Sequence, residues 1–156
     1  LLIREAREKF KHWKIAGIKK QSNWWPLFVR GSMLVVWMGV IFLFSSMPGS
    51  RSLYDPPMWY VLERKGAHVF EFAFLSVFAF RFFRVLFDAT WRMTAAISAA
   101  FVFTYGAFDE LHQAFVFGRG SRFSDVGIDV LGSVIALGLI WSIFLLPSLK
   151  KFRRML

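Results

Sequence analysis

The sequence predicts an all-α fold: an integral membrane bundle of four transmembrane helices behind a basic N-terminal segment, amphipathic or disordered. Three observations carry this prediction. First, 56% of the 156 residues are hydrophobic and 19% aromatic, with twenty Phe and seven Trp. A soluble core of this size cannot hide that much apolar surface, which would aggregate if left in water. Second, long uncharged runs alternate with short charged or Pro/Gly-containing gaps. Third, the net charge of +10 is concentrated at the chain ends and in those gaps, not in one stripe with interleaved aromatics. That distribution suits a membrane surface and argues against a nucleic-acid partner.

Residues 1–26 form a basic cytoplasmic or interfacial segment. As a helix it would align Ile3, Ala6, Phe10, Trp13 and Gly17 on a narrow stripe, with Arg4, Arg7, Lys9, Lys11 and Lys14 elsewhere. A solvated tail explains the same residues. Trp24, Trp25 and Pro26 read as an interfacial belt. Residues 27–148 form the four-helix domain. The first span runs from about Gly31 to Met47 without a charge, and Pro48, Gly49, Pro56 and Pro57 break the chain after it. The second is cramped, with only Phe72 to Phe80 uncharged between Glu71 and Arg81. Crossing about 30 Å of hydrocarbon takes roughly 17–25 helical residues, so this span is predicted to start near Lys65 and to draw His68 and Glu71 toward the bilayer.

The third span follows Arg92 and runs into Asp109, Glu110, His112 and Gln113. Its small residues Ala95, Ala96, Ser98, Ala99 and Ala100 permit close helix approach. The fourth starts near Asp125 or Asp129 and continues to Pro147. Residues 149–156 make a basic cytoplasmic tail. Fifteen of the twenty Lys and Arg fall in the two ends and the gap between spans two and three. Positive residues mark the cytoplasmic side, so the reading is a multi-pass cell-membrane protein with both termini in the cytoplasm. No cysteine is present, which removes disulfides, thiolate metal sites and cysteine nucleophiles.

This topology gathers the ionisable residues at the outer face: Lys65, His68 and Glu71 at the start of span two, Asp109 to Gln113 at the end of span three, and Arg119, Arg122, Asp125 and Asp129 around the start of span four. Charges cost about 2.5–3.5 kcal/mol each at a helix centre in lipid, so such a cluster asks for a reason. Spacings of three and four (65/68/71, 109/113, 125/129) put the partners on shared helix faces. The catalytic candidates are His68, Asp109, Glu110 and His112. The ligand-binding candidates are Lys65, Glu71, Gln113, Arg119, Arg122, Asp125 and Asp129. His68 is expected within hydrogen-bond reach of Asp109 or Glu110, directly or through one water, and Asp129 is expected to face the bundle.

The segments FSSMPG (Phe44 to Gly49), KGAHVFEF (Lys65 to Phe72), YGAFDELHQAFVFGRGSRFSD (Tyr105 to Asp125) and IDVLG (Ile128 to Gly132) resemble the VanZ-like family of bacterial membrane proteins, named for a teicoplanin-resistance determinant. The resemblance covers about residues 31–145. It implies a compact bundle of about four helices and a link to lower glycopeptide susceptibility, with no established chemistry. Two positions depart from the family pattern. Phe72 stands where an aromatic hydroxyl is usual, and Phe117 precedes Gly118 where proline is common.

Three function classes remain open. One is binding: Lys65, Arg119 and Arg122 could hold an anionic lipid or glycolipid head group, or a lipid-linked envelope intermediate, since Arg matches phosphate with two parallel donors. A second is an acid–base enzyme acting on a lipid-linked envelope substrate. The third is a structural polar network without a ligand. No spacing matches a zinc motif, so no metal or cofactor is assigned. Membrane lipids are the expected partners, and an oligomer is compatible with the sequence.

Overall fold

A computed structural model describes residues 24–49, 57–119 and 123–153. The N-terminal segment before Trp24, residues 50–56, and Arg122 in the loop before the last long helix lie outside the described residues. Four long helices form the molecule: α1 Trp25–Ser46, α2 Met58–Phe87, α3 Trp91–Gln113 and α4 Phe123–Leu145, followed by a 3-10 turn at Pro147–Leu149 and the short α5, Lys150–Arg153. There is no strand among the described residues.

Local chemistry sets the ends. Pro26 occupies the first turn of α1, where a missing N–H costs nothing. Met47 turns extended, with φ −70° and ψ 133°, because it precedes Pro48, which disfavours helical backbone before it. Thr90 caps α3, its hydroxyl accepting from Met93 N in place of an intrahelical partner. Helix α2 begins at Met58, two turns earlier than the start near Lys65 that the uncharged stretch suggested. Pro57 is the extended N-cap, and its rigid φ opens the helix directly behind it.

Helix α2 is central and packs against the other three, while α1 and α4 do not meet. The core contains Leu34, Ile41, Phe72, Leu75, Ala79 and Val102, all at most 5% exposed. Stripes of small or polar residues face inward on α3 (Thr94, Ser98, Gly106) and α4 (Asp129, Gly132, Ser133, Ala136). Large apolar side chains face outward instead, among them Val35, Val36, Leu43, Val134, Leu139 and Trp141. Two helices are long and apolar enough to cross a membrane, Trp25–Ser46 and Ser124–Leu145, with mean hydropathy 2.1 and 2.2. The expectation of four such helices is therefore met by two. Helices α2 and α3 carry charged and polar residues, some exposed such as Glu63, Lys65 and Arg92 and some buried against neighbours such as Glu71, Asp109, Glu110 and Gln113, and these lower their average hydropathy.

Candidate functional site

The antiparallel course of the chain brings the end of α1, the first half of α2, the end of α3 and the start of α4 together, and their polar residues meet there. Two networks form. In the first, Asp109 is buried on α3 and its Oδ2 accepts from Ser45 Oγ of α1 at 2.9 Å and from Gln113 Nε2, one turn on, at 2.7 Å. The Gln113 side-chain oxygen Oε1 accepts from Arg119 Nη1 at 3.1 Å. Arg119 Nε donates to the Met47 carbonyl at 2.9 Å, and its Nη2 donates to the Phe44 carbonyl. These carbonyls lie at the C-terminus of α1, beyond the regular helical ladder, where Phe44 O also accepts from Met47 N at 3.2 Å. Arg119 thus joins the loop after α3 to the end of α1. Burial and the nearby Arg64 guanidinium lower its pKa from the ordinary value, and Asp109, Tyr60 and Glu71 partly oppose them.

The same two loops touch at a pair of glycines. Gly49 N donates to Phe117 O at 3.1 Å, and a Cβ on either Gly49 or Gly118 would collide with the other's backbone. Gly118 also has φ +78°, which side chains with a Cβ rarely adopt. The expected resemblance motifs around Phe44–Gly49 and Phe117–Arg119 therefore sit against each other in space.

The second network links α2 to α4. His68 Nδ1 lies 3.1 Å from Asp129 Oδ1, with the ring N–H donating to the carboxylate. One helical turn before His68, Lys65 pairs with Asp125 at 3.2 Å, so two rungs at matching heights tie the helices together. Asp129 is the hydrogen-bond partner of His68, while Asp109 points to the α1 side of the bundle, toward Ser45, and Glu110 lines the smaller hollow together with His68. Asp129 is 1% exposed and faces the bundle interior. Its Oδ2 and the Ser133 hydroxyl are buried without a hydrogen-bond partner, and Oδ2 lies against Gly106, where a Cβ would be 3.1 Å away.

Two hollows open beside His68. The smaller, about 120 Å³, is lined by Tyr60, Arg64, Lys65, His68, Glu110, Gln113 and Asp125 among others. The larger, about 380 Å³, is lined by residues including Ser45, Tyr60, Glu63, Arg64, His68, Glu71 and Arg119. Tyr60, Arg64 and His68 belong to both, so they form the partition between them. Glu71 is buried at the larger hollow. His112 lies apart: its Nε2 donates to Ser46 Oγ at 3.0 Å, that hydroxyl donates to Phe42 O, and the ring packs 4.5 Å from Phe42. Phe72, at the position where the family resemblance leads one to look for a hydroxyl, is fully buried and stacks at 6.2 Å on His68. The nearby Tyr105 hydroxyl donates to Met38 O at 2.7 Å. Tyr60 and Ser45 were not singled out by the sequence. The proline pair before Met58 was the signal for Tyr60, since a helix starting there places it one turn from Arg64.

Among the described residues, no group of three or more His, Asp or Glu is arranged to hold a metal ion. Neither the curated proteins nor the solved structures contain a match to the chain. The family model VanZ/LLP1 matches residues 31–146, a stretch that takes in the rest of α1 from Gly31, all of α2, α3 and α4, and both glycine-bearing loops. The chain belongs to the VanZ/LLP1 family.

Proposed function

We propose that the chain is a membrane-embedded bundle with both termini cytoplasmic, whose polar end faces outward and binds the anionic head group of a lipid-linked or glycolipid envelope component. The observation that carries this reading is the pair of hollows partitioned by Tyr60, Arg64 and His68. Three cations, Arg64, Lys65 and Arg119, border a space at one end of a bundle with apolar flanks, so a lipid lying along the flank would present its head group at the right height. Arg119 contributes charge while its donors hold the loop. Arg64 makes no hydrogen bond or ion pair among the described residues and is the cation placed to take an acceptor from the ligand. Such binding would link the protein to teicoplanin susceptibility by withholding or masking an envelope precursor.

A second reading, acid–base catalysis on the same head group, is favoured by one observation. His68 presents Nδ1 to a buried carboxylate and borders both hollows, an arrangement that orients the other ring nitrogen for proton transfer.

The test compares Arg64→Gln and His68→Gln in a Gram-positive host and in purified protein. Binding of a polyprenyl phosphate in detergent and teicoplanin susceptibility are read beside folded yield. On the binding reading, Arg64→Gln loses most of the polyprenyl phosphate affinity at normal yield. On the catalytic reading, His68→Gln keeps binding and loses the phenotype. Full binding and full phenotype in both folded variants would leave the polar end as scaffold alone.

A further inference from the structure

At the opposite end of the bundle three arginines, Arg30, Arg81 and Arg84, are brought close together. Arg30 of α1 donates from Nη1 to the Arg81 carbonyl of α2 at 3.0 Å, and Arg84 follows Arg81 by three residues on the same helix. Among the described residues neither Arg81 nor Arg84 makes an ion pair. The nearest carboxylate in sequence, Asp88, is exposed at the left-handed C-cap of α2. Neither arginine simply extends into water. Arg81 is half-buried, with its Nε inside the protein and unbonded. Arg84 lies over the Phe144 ring at 5.1 Å and donates to the Ala89 carbonyl at 3.3 Å.

An aromatic shelf continues from there. Phe144 stacks on Trp91 at 5.8 Å, Trp91 packs 6.1 Å from Trp141, and Arg92 sits over Trp91 at 5.4 Å. Trp24 and Trp25 stand at the same end, on the first turn of α1. Tryptophans collect where hydrocarbon gives way to head groups, so the arginines are held at head-group height. Like charges drawn together and partly desolvated call for a counter-anion, and a guanidinium pair matches phosphate oxygens.

We propose that this end holds a phosphate group between Arg81 and Arg84, with Arg30 beside them. The phosphate is carried by an anionic membrane lipid or comes free from solution. If the arginine end is cytoplasmic, the lipid belongs to the leaflet on that side, which is rich in anionic lipids in many cells. The inference rests on the membrane-embedded part of the functional reading and not on the polar end.

The full chain is placed in nanodiscs of phosphatidylcholine, with or without phosphatidylglycerol, and its thermal midpoint is followed by tryptophan fluorescence. Phosphatidylglycerol is expected to raise the midpoint by about 2–4 °C. Arg81→Gln/Arg84→Gln should lose that rise, and Lys150→Gln/Lys151→Gln in the tail should keep it. Should the double glutamine variant fail to fold, Arg81→Lys/Arg84→Lys replaces it and should lose about half the rise. Inorganic phosphate added to phosphatidylcholine discs separates the sources: the same rise there assigns the site to free phosphate, and its absence assigns it to the lipid. A rise that survives in the arginine variants, or vanishes equally in the tail variant, overturns the site, as does a wild type indifferent to both probes. A wild type that fails to enter discs is a separate failure, that of the membrane reading itself.

Discussion

Gly132 of α4 rests on the backbone of α2 at Val69: a Cβ there would come 3.0 Å from the Val69 carbonyl carbon, 3.1 Å from Ala73 N, and into collision with the Val69 oxygen. Val69 adjoins His68, and Asp129 lies three residues before Gly132. The closest crossing of the two helices therefore sets the separation at which His68 and Asp129 meet. Gly132→Ala should push the helices apart, lowering stability by about 1–3 kcal/mol, the usual cost of overpacking. Thermal unfolding in detergent measures this. Gly138→Ala, where no atom lies within 4 Å of the added carbon, is the matched control and should be stable or slightly better, because alanine favours the helix.

The buried pair His68–Asp129 should behave as a coupled unit. Asp129→Ala is expected to cost about 1–3 kcal/mol, since it leaves a buried ring donor unsatisfied. His68→Gln on the Asp129→Ala background should cost markedly less than on the wild type. A double-mutant cycle gives the coupling, expected between about 0.5 and 3 kcal/mol. Additive single effects would show that the 3.1 Å contact contributes little.

Arg119→Lys keeps the charge and removes the planar fork. A lysine cannot reach the Phe44 and Met47 carbonyls and the Gln113 amide oxygen in the same geometry. The expected result is faster hydrogen exchange at the end of α1 and in residues 47–49, with the centre of α2 unchanged. Equal protection in both proteins would show that the guanidinium is not what holds the loop.

Topology has a direct assay, because the chain has no native cysteine. Single cysteines at Ser50, Ser121 and Ser148 are treated with a membrane-impermeant thiol reagent on intact cells. Labelling at Ser50 and Ser121 but not Ser148 is expected. The reverse pattern would place the polar end in the cytoplasm.

The clustering of polar residues at one end was legible in the sequence, because alternating helix direction and three- or four-residue spacing fix height and face. The choice of partners was not. Asp109 and Asp129 are equally flanked by apolar residues, and only the rotation of α3 toward α1 sends the first to Ser45 and leaves the second for His68. Arg119 read as a free phosphate fork because its acceptors are main-chain carbonyls of a distant helix end, which no side-chain pattern announces. Tyr60 was hidden by a proline pair that looked like loop and is instead the threshold of α2. Two of the four expected spans, α1 and α4, are long and apolar enough to cross a membrane, while α2 and α3 have lower hydropathy because polar residues such as Glu71, Asp109 and Gln113 are buried against neighbours.

Helix α1 is attached differently from the rest. It supplies Leu34 and Ile41 to the core, and beside that packing it has a series of polar links to main-chain or side-chain acceptors: Arg30 to Arg81 O, Trp37 Nε1 to Glu71 O at 2.9 Å, Tyr105 to Met38 O, Ser45 to Asp109, and Arg119 to its last carbonyls. Within lipid, apolar side chains gain little from leaving one hydrocarbon surface for another, so hydrogen bonds and close packing decide helix association. During biosynthesis α1 emerges ahead of α2, α3 and α4, yet the groups that fasten it, from Glu71 to Arg119, are all made after it. In order of synthesis its fastenings are therefore those to α2 through Glu71 and Arg81, those to α3 through Tyr105 and Asp109, and last the one to the Arg119 loop over its end.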